Sequence, residues 1–267
     1  MLPYALGEAA SRRFPTLMPP IASDALVLRT YKLGETSKVV VLLTRERGKL
    51  RAVAKGARGA RPRYQSALEP LSEVRVTLYG RQGAELLRLG ECELIRSAFR
   101  AGDRGLDASL ALSYFAELID SFAQEGEVED AVYRLAAAVI AGAGGGTPVV
   151  VLARYLEAWL LRLHGIYPPL DRCAACQLPL PPGDLRYHAM ARGFVCGCSG
   201  PGTGPSLTAA VRGFLGEVFG HAPAAVARTV PGDGALEAFH HSLIASHLER
   251  ELRSHRVLRD VARETRG

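Results

Sequence analysis

Residues 45–63 read Arg45-Glu46-Arg47-Gly48-Lys49-Leu50-Arg51-Ala52-Val53-Ala54-Lys55-Gly56-Ala57-Arg58-Gly59-Ala60-Arg61-Pro62-Arg63. Eight of these nineteen residues are Lys or Arg, and one, Glu46, is acidic. Gly48 marks a turn. Beyond it Leu50, Ala52 and Ala54 alternate with Arg51, Val53 and Lys55, the period-2 pattern of a half-buried strand. Gly56 and Gly59 then open a flexible basic loop. A strand that packs on one side and presents cations on the other, running into such a loop, suits a small barrel that tracks a phosphate backbone. The competing reading is a solvated charged hairpin. The lack of acidic neighbours within the stretch favours the first.

Outward from this stretch the same alternation recurs. Residues 24–30 place Leu26 and Leu28 on one side and Val27 and Arg29 on the other. Residues 38–44 carry the β-branched run Val39-Val40-Val41 into Leu42 and Leu43, suited to a buried strand. Residues 74–79 alternate strictly, Gly80-Arg81-Gln82-Gly83 turns the chain, and residues 84–89 return. Five short strands with tight turns predict a small closed barrel, with the OB-fold as the five-stranded candidate and an SH3-like barrel as the alternative. Tyr31 and Tyr79 fall on the same side of their strands as Arg29 and Arg75, where they either stack bases or fill the barrel rim; Tyr64 follows the basic loop.

The chain has 267 residues and a formal net charge of +6. Residues 1–80 hold 14 Lys/Arg against 6 Asp/Glu, a net of +8, which leaves −2 for the remainder. The basic surplus therefore belongs to the barrel segment and points to a polyanionic partner. Residues 1–20 lack a continuous apolar core and carry Glu8, Arg12, Arg13 and several prolines, so a flexible extension is expected rather than a secretory signal. The uncharged run from Leu135 to Ala153 contains Gly142, Gly144, Gly145, Gly146 and Pro148, which reads as a helix end, a glycine linker and a new helix start rather than a membrane span. A cytoplasmic protein is expected.

From Leu106 the period becomes helical: Leu106, Leu110, Tyr114, Leu118 and Ile119 share a face. Helices are predicted over residues 128–140, from Thr147-Pro148 to Leu163 before Gly165, over 207–219 and over 236–261. His240, His241, His247 and His255 on the last of these read as surface or core residues. Its interleaved Arg250, Arg253, Arg256, Glu249 and Glu251 read as a solvated, salt-bridged face.

Residues 168–205 interrupt the helices with prolines, glycines and four of the five cysteines. Cys173-Ala174-Ala175-Cys176 and Cys196-Gly197-Cys198 are two short-spaced pairs, each able to offer two thiolates from a tight knuckle to a structural zinc ion. Such an ion would order an insert with few apolar residues. The second pair is tighter than usual, and either Cys198 or His188 completes the set. Disulfides are the alternative that a cytosolic compartment disfavours. Cys92 reads as a small core residue. No glycine-rich loop with a following Lys and Ser/Thr indicates a nucleoside triphosphatase, and no His-x-Glu precedes the cysteines as a zinc deaminase requires. The chain is therefore read as a binding protein, not an enzyme.

Taken jointly, several motifs from Ala22 onward resemble the RecO family of bacterial recombinational repair proteins. They are Glu35-Thr36, Thr44 with Gly48, Lys55-Gly56-Ala57-Arg58, Leu68-Glu69-Pro70, Tyr155–Leu163 leading through Gly165 and Pro169 into Cys173-x-x-Cys176, and Arg250-Glu251-Leu252-Arg253-Ser254. The resemblance implies an N-terminal OB-fold, a helical domain and a zinc-stabilised insert. It also implies binding of single- and double-stranded DNA, annealing of complementary strands and cooperation with RecR. RecA would load on strands coated by single-strand-binding protein, whose acidic C-terminal tail docks on the helical domain.

The expected layout is an extension over residues 1–21, an OB-fold over 22–95, a helical domain from 96–167 and 206–267, and a zinc insert at 168–205. The expected nucleic-acid contacts are Lys38, Arg45, Arg47, Lys49, Arg51, Lys55, Arg58, Arg61, Arg63 and Tyr64, with Cys173, Cys176, Cys196 and Cys198 on zinc. An RNA-directed barrel protein with a structural zinc is the second reading. A zinc hydrolase, which needs an open coordination site, is the third.

Overall fold

A computed structural model describes residues 19–59, 63–81, 84–97, 106–200 and 202–257. Five strands, β1 (Ile21–Leu33), β2 (Ser37–Thr44), β3 (Gly48–Ala54), β4 (Glu73–Tyr79) and β5 (Leu87–Arg96), close into a barrel in the order β1-β2-β3-β5-β4. β4 pairs back onto β1, and every neighbour pair is antiparallel except β3 with β5. This five-stranded closure with one parallel contact is OB-like. β5 starts later and runs further than the alternation of residues 84–89 suggests, because Cys92 and Leu94 pair with Val76 and Val74 of β4.

The barrel interior is filled by Ala25, Val27, Val40, Leu42, Ala52, Ala54, Val74, Val76, Leu78, Leu87 and Leu89. A short 3-10 turn, Gln65–Leu68, plugs one end with Ala67 and Leu68. Cys92 packs partly buried against this core, where burial raises its thiol to about 11. The opposite faces of β1 and β2 are buried too: Leu26, Leu28, Val41 and Leu43 belong to the core of the helical region. Burial on both faces accounts for the unbroken apolar runs in these two strands, where a half-exposed strand would alternate.

Helices α1 (Leu106–Phe122), α2 (Asp130–Gly144), α3 (Val149–Leu163), α4 (Ala209–Gly220) and α5 (Asp233–Leu248) pack around α3. Residues 142–146 end α2, and Pro148 opens α3 at its N-cap, as the glycine run predicts. The single C-terminal helix expected over 236–261 is broken. α5 stops at Leu248, Glu249 takes a left-handed conformation at φ 53°, and a separate helical stretch occupies 253–257. Between α3 and α4 lies a small sheet of β6 (Leu185–His188), β7 (Gly193–Val195) and β8 (Ser206–Leu207). This insert is better supplied with core than its composition suggests, since Leu185, Phe194, Val195 and Leu207 are all buried in the helical core.

Candidate nucleic-acid interface and metal centre

The β2–β3 hairpin that carries the basic stretch is fixed by Thr44, whose Oγ1 donates to the Gly48 carbonyl at 2.8 Å and accepts from the Arg47 N–H at 3.2 Å. Gly48 has φ +65° and lies against the backbone of Glu127; a Cβ there would overlap the Glu127 carbonyl. The segment between α1 and α2 continues along β3, with the Gly126 N–H donating to the Lys49 carbonyl at 3.1 Å. That segment reads Glu125-Gly126-Glu127-Val128-Glu129-Asp130, so it brings carboxylates onto the cationic hairpin.

The basic stretch is thereby divided. Lys49 is only 9% exposed and donates from Nζ to the Asp120 carbonyl at 2.7 Å, with the Asp120 carboxylate 3.4 Å away. Arg51 pairs with Glu125, and Arg45 Nε lies 3.3 Å from Asp130 Oδ1. Lys49 is thereby fixed in the seam between barrel and helices, off the free surface expected for it, whereas Arg45 and Arg51 meet carboxylates of the helical region and stay exposed. Their acidic partners lie some seventy to eighty-five residues later, so the local sequence could not show them.

Tyr64 is also corrected: it is 5% exposed, and its hydroxyl donates toward the Leu89 and Gly90 carbonyls at 3.0 and 3.2 Å. It helps to plug the barrel, and burial raises its phenol.

The remaining cations are different, Arg47 in the β2–β3 turn and the others at the opposite end of the barrel. Among the described residues Lys38, Arg47, Lys55, Arg58 and Arg63 take part in no ion pair, and all but the half-buried Lys38 are exposed. Arg58 N–H donates to the Thr36 carbonyl at 2.9 Å and its Nη1 to the Gly34 carbonyl at 3.2 Å, which folds the basic loop back on the β1–β2 turn. Arg63 N–H closes that loop onto the Gly56 carbonyl at 3.2 Å. Lys38 stands directly across from Lys32 in the β1–β2 ladder, a like-charge pair that disfavours itself unless an anion joins it. Arg61 lies outside the described residues.

The four expected metal ligands come together. Cys173, Cys176, Cys196 and Cys198 place their sulfurs within 4.8 Å of one another, Cys173 3.7 Å from Cys198 and Cys176 3.6 Å from Cys196. Gly197, at φ +99°, supplies the tight turn that lets a one-residue gap aim both sulfurs at the cluster. His188 lies outside this group, and its Nδ1 accepts from the Ala191 N–H at 3.3 Å. N–H groups of Cys176 and then Cys196 point at the Cys173 sulfur and lower its thiol to about 6, whereas the surrounding thiols raise Cys198 to about 12. Four sulfurs this close resist sharing negative charge unless a cation sits among them. The cluster can hold a metal ion.

A buried polar network went unread in the sequence. Glu157 of α3, wholly buried, accepts from Arg154 Nη1, from Tyr114 Oη at 2.7 Å and lies 2.9 Å from His240 Nδ1. Arg154 also reaches Asp233 at 2.7 Å and Glu237 at 3.3 Å, tying α3 to α5. The available signal was the Arg154-x-x-Glu157 pair inside an otherwise apolar helix face.

Comparison with known proteins gives this geometry a family. The profile for the recombination protein O N-terminal domain matches residues 18–98, and that for the recombination protein O C-terminal domain matches 104–256. The chain belongs to the RecO family. A DNA repair protein RecO of Anaeromyxobacter sp. strain K is 34% identical over 256 residues, covering 91% of this chain and 98% of the relative. The Streptomyces coelicolor RecO is 33% identical over 252 residues, 88% of this chain and 97% of its own. The Koribacter versatilis RecO is 38% identical over 174 residues, 65% of this chain and 70% of its own. RecO membership makes this a DNA repair and recombination protein. No helix among the described residues is long and apolar enough to cross a membrane.

Proposed function

We propose that this RecO-family chain is a non-enzymatic mediator that binds single- and double-stranded DNA and anneals complementary strands. With RecR it would help RecA load on strands coated by single-strand-binding protein, whose acidic tail would dock on the helical domain. The observation that carries the reading is the divided basic stretch. While Lys49 is fixed in the seam and Arg45 and Arg51 each meet a carboxylate there, Lys38, Arg47, Lys55, Arg58 and Arg63 take part in no ion pair among the described residues. A cationic surface of this kind gains from releasing counterions condensed on phosphates, with little regard to base sequence. Neutralising two strands on one protein lowers their mutual repulsion, which favours annealing.

Zinc suits the four cysteines. With Zn–S near 2.3 Å, a tetrahedron spaces its sulfurs about 3.8 Å apart; two of the sulfur pairs here lie at 3.6 and 3.7 Å, and all four sulfurs are within 4.8 Å of one another. Four thiolates leave no open position, so the ion would be structural.

Annealing of complementary oligonucleotides, with and without single-strand-binding protein, tests the reading. Acceleration in both settings is expected, and spontaneous rates in both would contradict it. Competition with RNA of matched length separates DNA from RNA preference.

A further inference from the structure

The chain from Gln124 to Asp130, which joins α1 to α2, forms an acidic strap laid against the β2–β3 hairpin. Its backbone is pinned. The Gly126 N–H donates to the Lys49 carbonyl at 3.1 Å, and the Glu127 peptide fits closely against Gly48. The Gln124 N–H donates to Glu129 Oε2 at 3.0 Å, closing the strap on itself. Glu129 Oε1 lies 3.4 Å from Nε2 of His164, just past α3, which ties the strap to the helical region as well. Swinging the strap off the hairpin would break all of these contacts together.

Two of its carboxylates stand where phosphates would. Glu125 meets Arg51, and Asp130 Oδ1 lies 3.3 Å from Arg45 Nε, both pairs half-exposed at the margin of the seam. Asp130 Oδ2 also holds Arg134 at 2.8 Å, so its charge is kept beside Arg45 by its own helix. Exposed pairs of this kind add little to stability. What they do is cancel charge, with Glu127 and Glu129 adding to the negative side of the same strap. Lys55, without an ion pair, follows four residues after Arg51, so the free cationic surface ends between them.

We infer that the strap is an internal phosphate mimic that sets the boundary of the DNA-binding surface: Glu125 and Asp130 occupy Arg51 and Arg45 and keep phosphates off both. An arginine already neutralised by a carboxylate displaces no counterion from DNA, so it adds neither affinity nor salt dependence. A phosphate approaching either one meets like charge that the pinned backbone holds in place. The inference rests on the DNA-binding reading above and goes beyond it by giving acidic residues of the helical region a part in binding.

Fluorescence anisotropy with labelled oligothymidylate over a salt series tests it on the full chain. Glu125→Gln/Asp130→Asn keeps the shape of the strap and frees both arginines. It is expected to bind roughly tenfold tighter near about 0.15 M salt, with the slope of log affinity against log salt steeper by about 1.4, from two added contacts at about 0.7 each. Adding Arg45→Ala/Arg51→Ala to that variant should return the slope to the wild-type value, whereas the same two arginine substitutions in wild type should leave it unchanged. Wild-type affinity and slope in Glu125→Gln/Asp130→Asn would overturn the inference. So would a gain that survives loss of the arginines, or a slope that falls when they are removed from wild type. A chain that binds no DNA with or without the strap's charges would instead overturn the DNA-binding reading, and the strap's role with it.

Discussion

Glu157 would be raised by its burial, yet Arg154, then His240 and Tyr114, hold its carboxyl down to about 2. Arg154 is the cation that makes this enclosure tolerable. Arg154→Met would strand a buried carboxylate and is expected to cost about 3–5 kcal/mol in urea unfolding. Glu157→Gln should cost less, about 1–3 kcal/mol, because Arg154 keeps Asp233 and Glu237. Equal midpoints for wild type and Arg154→Met would contradict the role given to the network. A pH effect also follows at this scale. Burial, then His255, lowers His241 from 6.5 to about 4, and burial lowers His240 in the same direction. The unfolded chain then binds protons that the folded one refuses, so stability is full above pH 6.5 and falls as pH drops toward 4. Thermal melts over this range should show a shallower decline in His241→Gln than in wild type; parallel curves would contradict the assignment.

At the scale of elements, Gly48 and the cysteine knuckles each hold a junction. Gly48→Ala combines a φ of +65° with overlap on the Glu127 carbonyl, and a loss of more than about 1 kcal/mol is expected. Hydrogen exchange should show the 125–127 segment opening first; an unchanged pattern would contradict the packing. Metal removal should act more locally. Leu185, Phe194 and Leu207 stay anchored in the helical core, with the Phe194 and Phe239 rings 5.5 Å apart. Chelation is therefore expected to free the knuckles at 173–178 and 196–200 while the β6–β7 hairpin keeps its protection. Elemental analysis should find one zinc per chain, lost in Cys173→Ser; a zinc-free purified chain would contradict the metal reading.

At the scale of the molecule, the barrel was legible because β3 and β4 alternate openly while β1 and β2 carry apolar runs of strand length between turns, and the helices because their faces repeat. The cysteine cluster was legible from spacing alone, and the structure places Cys198, not His188, with the other three cysteines. What stayed hidden depended on distant residues. Asp120, Glu125 and Asp130 pair with three of the eight cations of the basic stretch from far along the chain, and Tyr64 turned inward where a loop residue was expected to face out. The break at Glu249 likewise has no glycine or proline to announce it.

The central claim is that the unpaired cations at the far end of the barrel meet DNA phosphates while those at the seam do not. The salt dependence of single-strand binding tests it most directly, comparing wild type with Lys38→Ala/Lys55→Ala/Arg58→Ala/Arg63→Ala and with Arg45→Ala. The slope of log affinity against log salt should fall by about 0.7 per lost phosphate contact, roughly 3 for the fourfold variant, and stay unchanged for Arg45→Ala. A wild-type slope in a folded fourfold variant would contradict it.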